Sequence, residues 1–118
     1  PSNSSIAQLE LAKVASAVNS WRSNNAGEAA QGASAAVFAA YVEAANKANP
    51  LLQADGYSLE FKAAEPAHAY PASAVKKIEI WKNATCDNAR EKVVSSGVLR
   101  DVAITTKLEN GKGYCIPS

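Results

Sequence analysis

At 118 residues, with 47% hydrophobic and 19% charged side chains, the chain holds enough apolar material for one globular core and leaves no room for a second domain. Twelve basic against eleven acidic residues give a net charge of +1, with neither sign concentrated in one half, so no electrostatic footprint for nucleic acid or an anionic membrane is visible. No stretch of about 18 apolar residues occurs that would cross a membrane. Residues 1–5, Pro-Ser-Asn-Ser-Ser, read as a processed or expression-derived end, and residues 6–118 as a single domain.

From Ser5 the pattern is helical. Ser5 and Gln8 form a capping box, and Ala7, Leu11, Val14, Val18 and Trp21 recur at spacings of four and three. Lys13, Asn19, Arg22 and Ser23 fall largely off that stripe, and the helix is expected to fail in the polar run from Ser23 to Gly27. Ile6, Leu9 and Ala15 add apolar surface beyond one core-facing stripe, which leaves room for a second partner. Gly27 to Gly32 is expected to be the loosest stretch. A second, alanine-rich helix is predicted from about Ser34 to Ala48, with Val37, Phe38, Tyr41, Val42 and Ala45 on one side and Pro50 ending it.

After the turn signal Asp55-Gly56 the period changes to two, with Tyr57, Leu59 and Phe61 opposed to Ser58, Glu60 and Lys62. Residues 63–74, with Pro66 and Pro71, read as a surface loop leading into a strand over 75–82. On that strand Ile78 and Ile80 face the core, while Trp81 takes the other face with Lys77 and Glu79, as a contact residue or a ring laid beneath a loop or helix. Thr85 is predicted to cap a third helix over 86–96, ended by Gly97, with Val98 supplying the hydrophobic contact of a Schellman ending. A strand then carries Val102, Ile104 and Thr106 on one face. Asn110-Gly111 turns it into a short last strand over 113–116.

Cys86 and Cys115 are the only cysteines, without a CxxC pair or a Cys/His cluster, so they read as one structural disulfide rather than a metal or redox site. Such a bridge places the domain outside the cytosol with an export signal already removed; the alternative is two buried free thiols in a cytosolic regulatory domain.

The order helix, helix, strand, strand, helix, strand, strand describes an α+β domain, an antiparallel sheet covered on one face by the long N-terminal helix. With the alanine-rich region and the C-terminal segment bounded by Cys86 and Cys115, this layout resembles the globular part of a type IV pilin. The phrase Asn83-Ala84-Thr85-Cys86-Asp87-Asn88-Ala89-Arg90 is closer to the type IVb subgroup than to type IVa. The resemblance covers the whole chain by layout, and the first helix and the Cys86 to Cys115 region by residue pattern. It implies a missing upstream apolar segment with glutamate at its fifth position, which anchors the subunit in the inner membrane before assembly and then packs in the fibre centre. It further implies an extracellular filament of a Gram-negative bacterium. Partners would be other subunits and the assembly machinery, with a host or neighbouring cell surface as a further contact, in adhesion, aggregation or conjugation.

In that frame Ile6, Leu9, Leu11, Val14, Val18 and Trp21 are candidates for subunit packing, and Trp81, Tyr70 and Tyr114 for surface contact. The region from Ala30 to Ala48 and the disulfide-bounded loop would carry lateral contacts. No catalytic residue, cofactor or metal is expected. His68 is a lone loop histidine, Glu60, Glu79 and Lys62 read as solvated strand charges, and Ser95-Ser96-Gly97 lacks the pattern of a nucleophile elbow. The sequon matches at Asn3 and Asn83 are cheap in such a composition and receive no role. Nucleic acid is not an expected partner, because Glu79, Asp87 and Glu91 interrupt the basic cluster of Lys76, Lys77, Lys82, Arg90 and Lys92. The competing readings are a monomeric secreted binding module and a pseudopilin of a type II secretion system.

Overall fold

A computed structural model describes residues 3–30, 34–50, 54–62, 68–69 and 75–118. Helix α1 (Asn3–Asn24) is followed by a single helical turn, α2 (Ala26–Ala29), and by α3 (Ala35–Ala48). Seven strands follow among the described residues: β1 (Ser58–Lys62), β2 (His68–Ala69), β3 (Lys77–Lys82), β4 (Ala84–Asp87), β5 (Lys92–Ser95), β6 (Val102–Lys107) and β7 (Gly113–Pro117). Tyr70 and most of the loop expected over 63–74 lie outside the described residues.

The stripe that predicts α1 is the one it buries. Leu11, Val14 and Val18 are closed to solvent, and burial contributes roughly 1.5–3 kcal/mol for each such side chain. The helix ends in the expected polar run, where the Asn25 amide donates to the Trp21 carbonyl and satisfies one of the unpaired groups of the last turn. Helix α3 begins where Ser34 Oγ accepts the Val37 N–H at 3.2 Å, and ends one residue before Asn49-Pro50. It lies on α1 with Val37, Tyr41 and Ala45 buried; Tyr41 meets Trp21 edge-on at 5.3 Å, and Phe38 stacks on Phe61 of β1 at 4.8 Å.

The main sheet has the order β1-β3-β6-β7 and is mixed, not antiparallel. Strands β3, β6 and β7 pair antiparallel as expected, but β1 runs parallel to β3 with Leu59 beside Ile78 and Phe61 beside Ile80. A parallel pair needs a crossover of about a dozen residues or more, and the connection over 63–76 supplies one; no tight-turn signal separates the two strands. One face of this sheet, with Ile78, Ile80, Val102 and Ile104, packs against α1 and α3.

The third helix does not form. Residues 84–95 are instead the hairpin β4–β5, and with β2 they make a second sheet of order β2-β5-β4. Asp87 Oδ1 accepts the Arg90 N–H at 3.3 Å, a local bond that serves a turn as well as a helix start, so the capping signal is ambiguous in kind. The turn is closed by Glu91 at φ 52°, a conformation that leaves the helix. Val93 and Val94 then favour strand. Gly97 bends the chain at φ 74° after a strand, not a helix, and Val98 is exposed, so the Schellman contact is absent.

The second sheet covers the far side of the main one. Trp81, Ala84, Val93, Ala103 and Cys115 form a small separate core there, with Cys86 packed against it. Cys86 of β4 is disulfide-bonded to Cys115 of β7 across 29 positions, which joins the two sheets and excludes the free-thiol alternative. In the chain-entropy account a loop of that size adds roughly 3–4 kcal/mol.

Candidate functional site

Leu11, Val14 and Val18 are 0–1% exposed inside the domain's own core and cannot face another subunit while it is folded. Trp21 is half-buried against Tyr41. Only Ile6 and Leu9 of the six packing candidates present large apolar side chains to solvent, at 40% and 56% exposure. They sit three residues apart on one side of the first turns of α1, so together they form a patch rather than scattered points.

Beside Ile6 lies a groove of about 460 Å³ formed where the starts of β1 and β3 and the β6–β7 connection meet α1. Ala7 and Tyr57 contribute to its walls, and Asp55 and Glu109 bring carboxylates to it. Burial pushes the Tyr57 phenol above its usual range, and the negative Glu10, Asp55 and Glu109 push it in the same direction. Lys76 lies over the Tyr57 ring at 5.9 Å and donates to the Asp55 carbonyl at 3.0 Å. The same end of α1 holds Glu10, 6% exposed, which accepts from Asn49 and pairs with Lys13 at 3.4 Å. A second groove runs between α1 and α3 with Trp21 and Ala44 in its walls and Lys13 and Lys47 among its lining residues.

At the opposite end of α1, Arg22 is a buried residue and not the off-stripe surface residue its spacing suggests. Its guanidinium donates to the Arg100 carbonyl and to Ser118 Oγ, both at 2.8 Å, and to the Asn19 side chain. Burial lowers its pKa, and Arg100 lowers it further, against the raising effects of Tyr41 and Asp101. The 3.6-residue period cannot reveal this role. The side chain is long enough to leave its own face and reach the Arg100 carbonyl and Ser118, just past β7.

Trp81 is not a surface contact. It is 4% exposed beneath the second sheet, with its indole N–H donating to Thr105 Oγ1 at 3.1 Å. Tyr114 is half-buried against the main core. Glu79 is likewise no solvated charge: it is fully enclosed, receives the Thr105 hydroxyl at 3.5 Å and pairs with Lys62 at 3.3 Å. Lys62 also meets Glu60 at 3.0 Å, and Lys77 pairs with the same carboxylate. Hydrogen bonds from Lys77 and then Lys62 hold the Glu60 carboxyl below its usual range. Glu79 is enclosed by this network, while Glu60, Lys62 and Lys77 reach its partly exposed rim. Among the described residues no group of three or more His, Cys, Asp or Glu could hold a metal ion, and no helix is long and apolar enough to cross a membrane.

Among the described residues the remaining exposed apolar feature is the connection between β5 and β6, where Val98 is 46% and Leu99 57% exposed. Sequence periodicity misses it, because a two-residue apolar step in a loop has no period. No family model, curated protein or solved structure matches the chain.

Proposed function

We propose that this chain is the globular part of a structural subunit of a type IV pilus-like filament, nearest in pattern to the type IVb class, and not an enzyme. The observation that carries the reading is the divided surface of α1. Its middle is sealed against the sheet and α3, while Ile6 and Leu9 at its first turns stay open to water. Leaving two adjacent large aliphatic side chains in solvent forgoes a few kcal/mol of burial, which a further apolar partner recovers. In the filament that partner is a neighbouring subunit. The disulfide between the sheets suits a domain that works outside the cell. On this reading the subunit waits in the inner membrane on its upstream segment, passes through the assembly machinery, and ends in an extracellular fibre of a Gram-negative cell. There its outer surface serves adhesion, aggregation or conjugative contact.

The test is the precursor sequence immediately upstream of Pro1. The expected result is a basic leader, a small residue at a cleavage site, and then an apolar segment long enough to cross a membrane with glutamate at its fifth position. An ordinary signal peptide cleaved just before this domain would overturn the proposal in favour of a soluble secreted binding module.

A further inference from the structure

The large hydrophobic side chains exposed among the described residues are Ile6, Leu9, Val98 and Leu99, and they fall into two patches of different shape. Ile6 lines a concave groove with Ala7, Tyr57, Val75, Asp55 and Glu109, and Leu9 lies one turn further along α1. Val98 and Leu99 form the other patch, an exposed knob in the connection between β5 and β6. Ser96 Oγ accepts the Val98 N–H and donates to the Val98 carbonyl, both at 3.0 Å, and the Asp101 N–H donates to that carbonyl at 3.1 Å. Arg22 braces the next carbonyl but one, that of Arg100, against the C-terminal end of α1. The knob is therefore held in place before it meets anything, which reduces the entropy lost on docking.

The two patches lie at opposite ends of one helix, since about 24 Å of α1 at 1.5 Å per residue separates Ile6 from Arg22. They also match in charge. Arg100, exposed, follows directly after Leu99, while the groove carries Asp55 and Glu109, whose carboxylates make no ion pair among the described residues. Lys76, the one cation among the described residues of the groove, is turned to the Asp55 carbonyl and the Tyr57 ring.

We infer that the Val98-Leu99 knob of one copy of this chain docks in the Ile6 groove of the next, with Arg100 set against Asp55 and Glu109. A contact between two different patches is heterologous, so each added copy presents a fresh knob or a fresh groove, and association runs past the dimer to an open chain or a closed ring. This deepens the filament reading by naming a head-to-tail contact between globular domains, and it rests on that reading for its purpose though not for its geometry. Two docked side chains bury less than the roughly 1,200 Å² of a standard interface, so the contact is weak alone and is propagated in a polymer.

Sedimentation velocity on the chain at concentrations up to about 1 mM, where a sub-standard interface becomes populated, tests it. The mean mass should climb without a plateau at the dimer and fall as salt is added. Leu99→Ser and Ile6→Ser should each be monomeric at the same concentration. An equimolar mixture of the two retains one intact knob and one intact groove, and should stop at dimers. As a check that leaves the apolar residues in place, Arg100→Glu should weaken association by up to about fivefold, and Glu109→Lys added to it should restore part of the loss. A wild-type chain that stays monomeric, an Ile6→Ser chain that still associates, or a mixture that does not pair would each overturn the inference. These outcomes separate from the filament test. An apolar leader on a monomeric chain removes only this contact, whereas head-to-tail chains behind an ordinary signal peptide remove only the filament.

Discussion

The two cores of this domain are built on different terms. The main core gathers Leu11, Val14 and Val18 from α1, Val37, Tyr41 and Ala45 from α3, and Ile78, Ile80, Val102 and Ile104 from the sheet, so three elements close it without a covalent tie. Among the described residues the small core has Trp81 as its one large side chain, with Ala84, Val93, Ala103 and Cys115 around it, and a disulfide crosses it. The difference teaches that β4 and β5 are tied to the main sheet by the Cys86–Cys115 bridge as well as by packing, whereas the main core is closed by packing of its own elements.

The sharpest way to break that contrast is in the main core. Tyr41→Ala removes the ring that joins α3 to Trp21, and should cost about 3–5 kcal/mol in urea unfolding, as for other buried aromatics, with all signals lost together. Replacing Cys86 and Cys115 by Ala should cost roughly 3–4 kcal/mol, and native-state hydrogen exchange should show β4 and β5 opening before β3 and β6. Simultaneous loss of protection in both sheets would show that the small core is no separate unit.

Arg22→Met keeps the stem but leaves the Arg100 carbonyl and Ser118 without their donor, at a cost of about 1–3 kcal/mol. Chemical denaturation of this variant beside Arg22→Lys separates the charge from the hydrogen-bonding fork.

The smallest effect is alkaline. Tyr41 and Tyr57 both have phenols raised above 10.0, first by burial, so the folded chain holds them neutral. Their contribution is therefore intact below the unfolded value near 10 and is lost as pH rises through the raised folded values. The thermal midpoint should decline above that pH, and less steeply in Tyr57→Phe. An unchanged slope in that variant would assign the decline to other groups.

The apolar positions of α1 and α3 and the alternation along β1, β3 and β6 follow from the sequence, because a period of 3.6 or 2 registers which face is buried whatever buries it. The helix ends near Asn24 and Asn49, the Asn110-Gly111 hairpin and the pairing of two lone cysteines are legible for the same reason: each is fixed by local geometry or by elimination. What a face meets is not local. The sequence places Trp81 opposite Ile78 and Ile80, but only the second sheet folding over it makes it core, and only the fold encloses Glu79 beside Thr105 and Lys62. The segment over 84–95 carries caps and turn residues that suit a helix or a hairpin alike. Tertiary pairing chose the hairpin, by setting Cys86 opposite Val93 and within reach of Cys115. The parallel seating of β1 and the two exposed patches at the ends of α1 were likewise decided by the fold, since each depends on residues far apart in the chain.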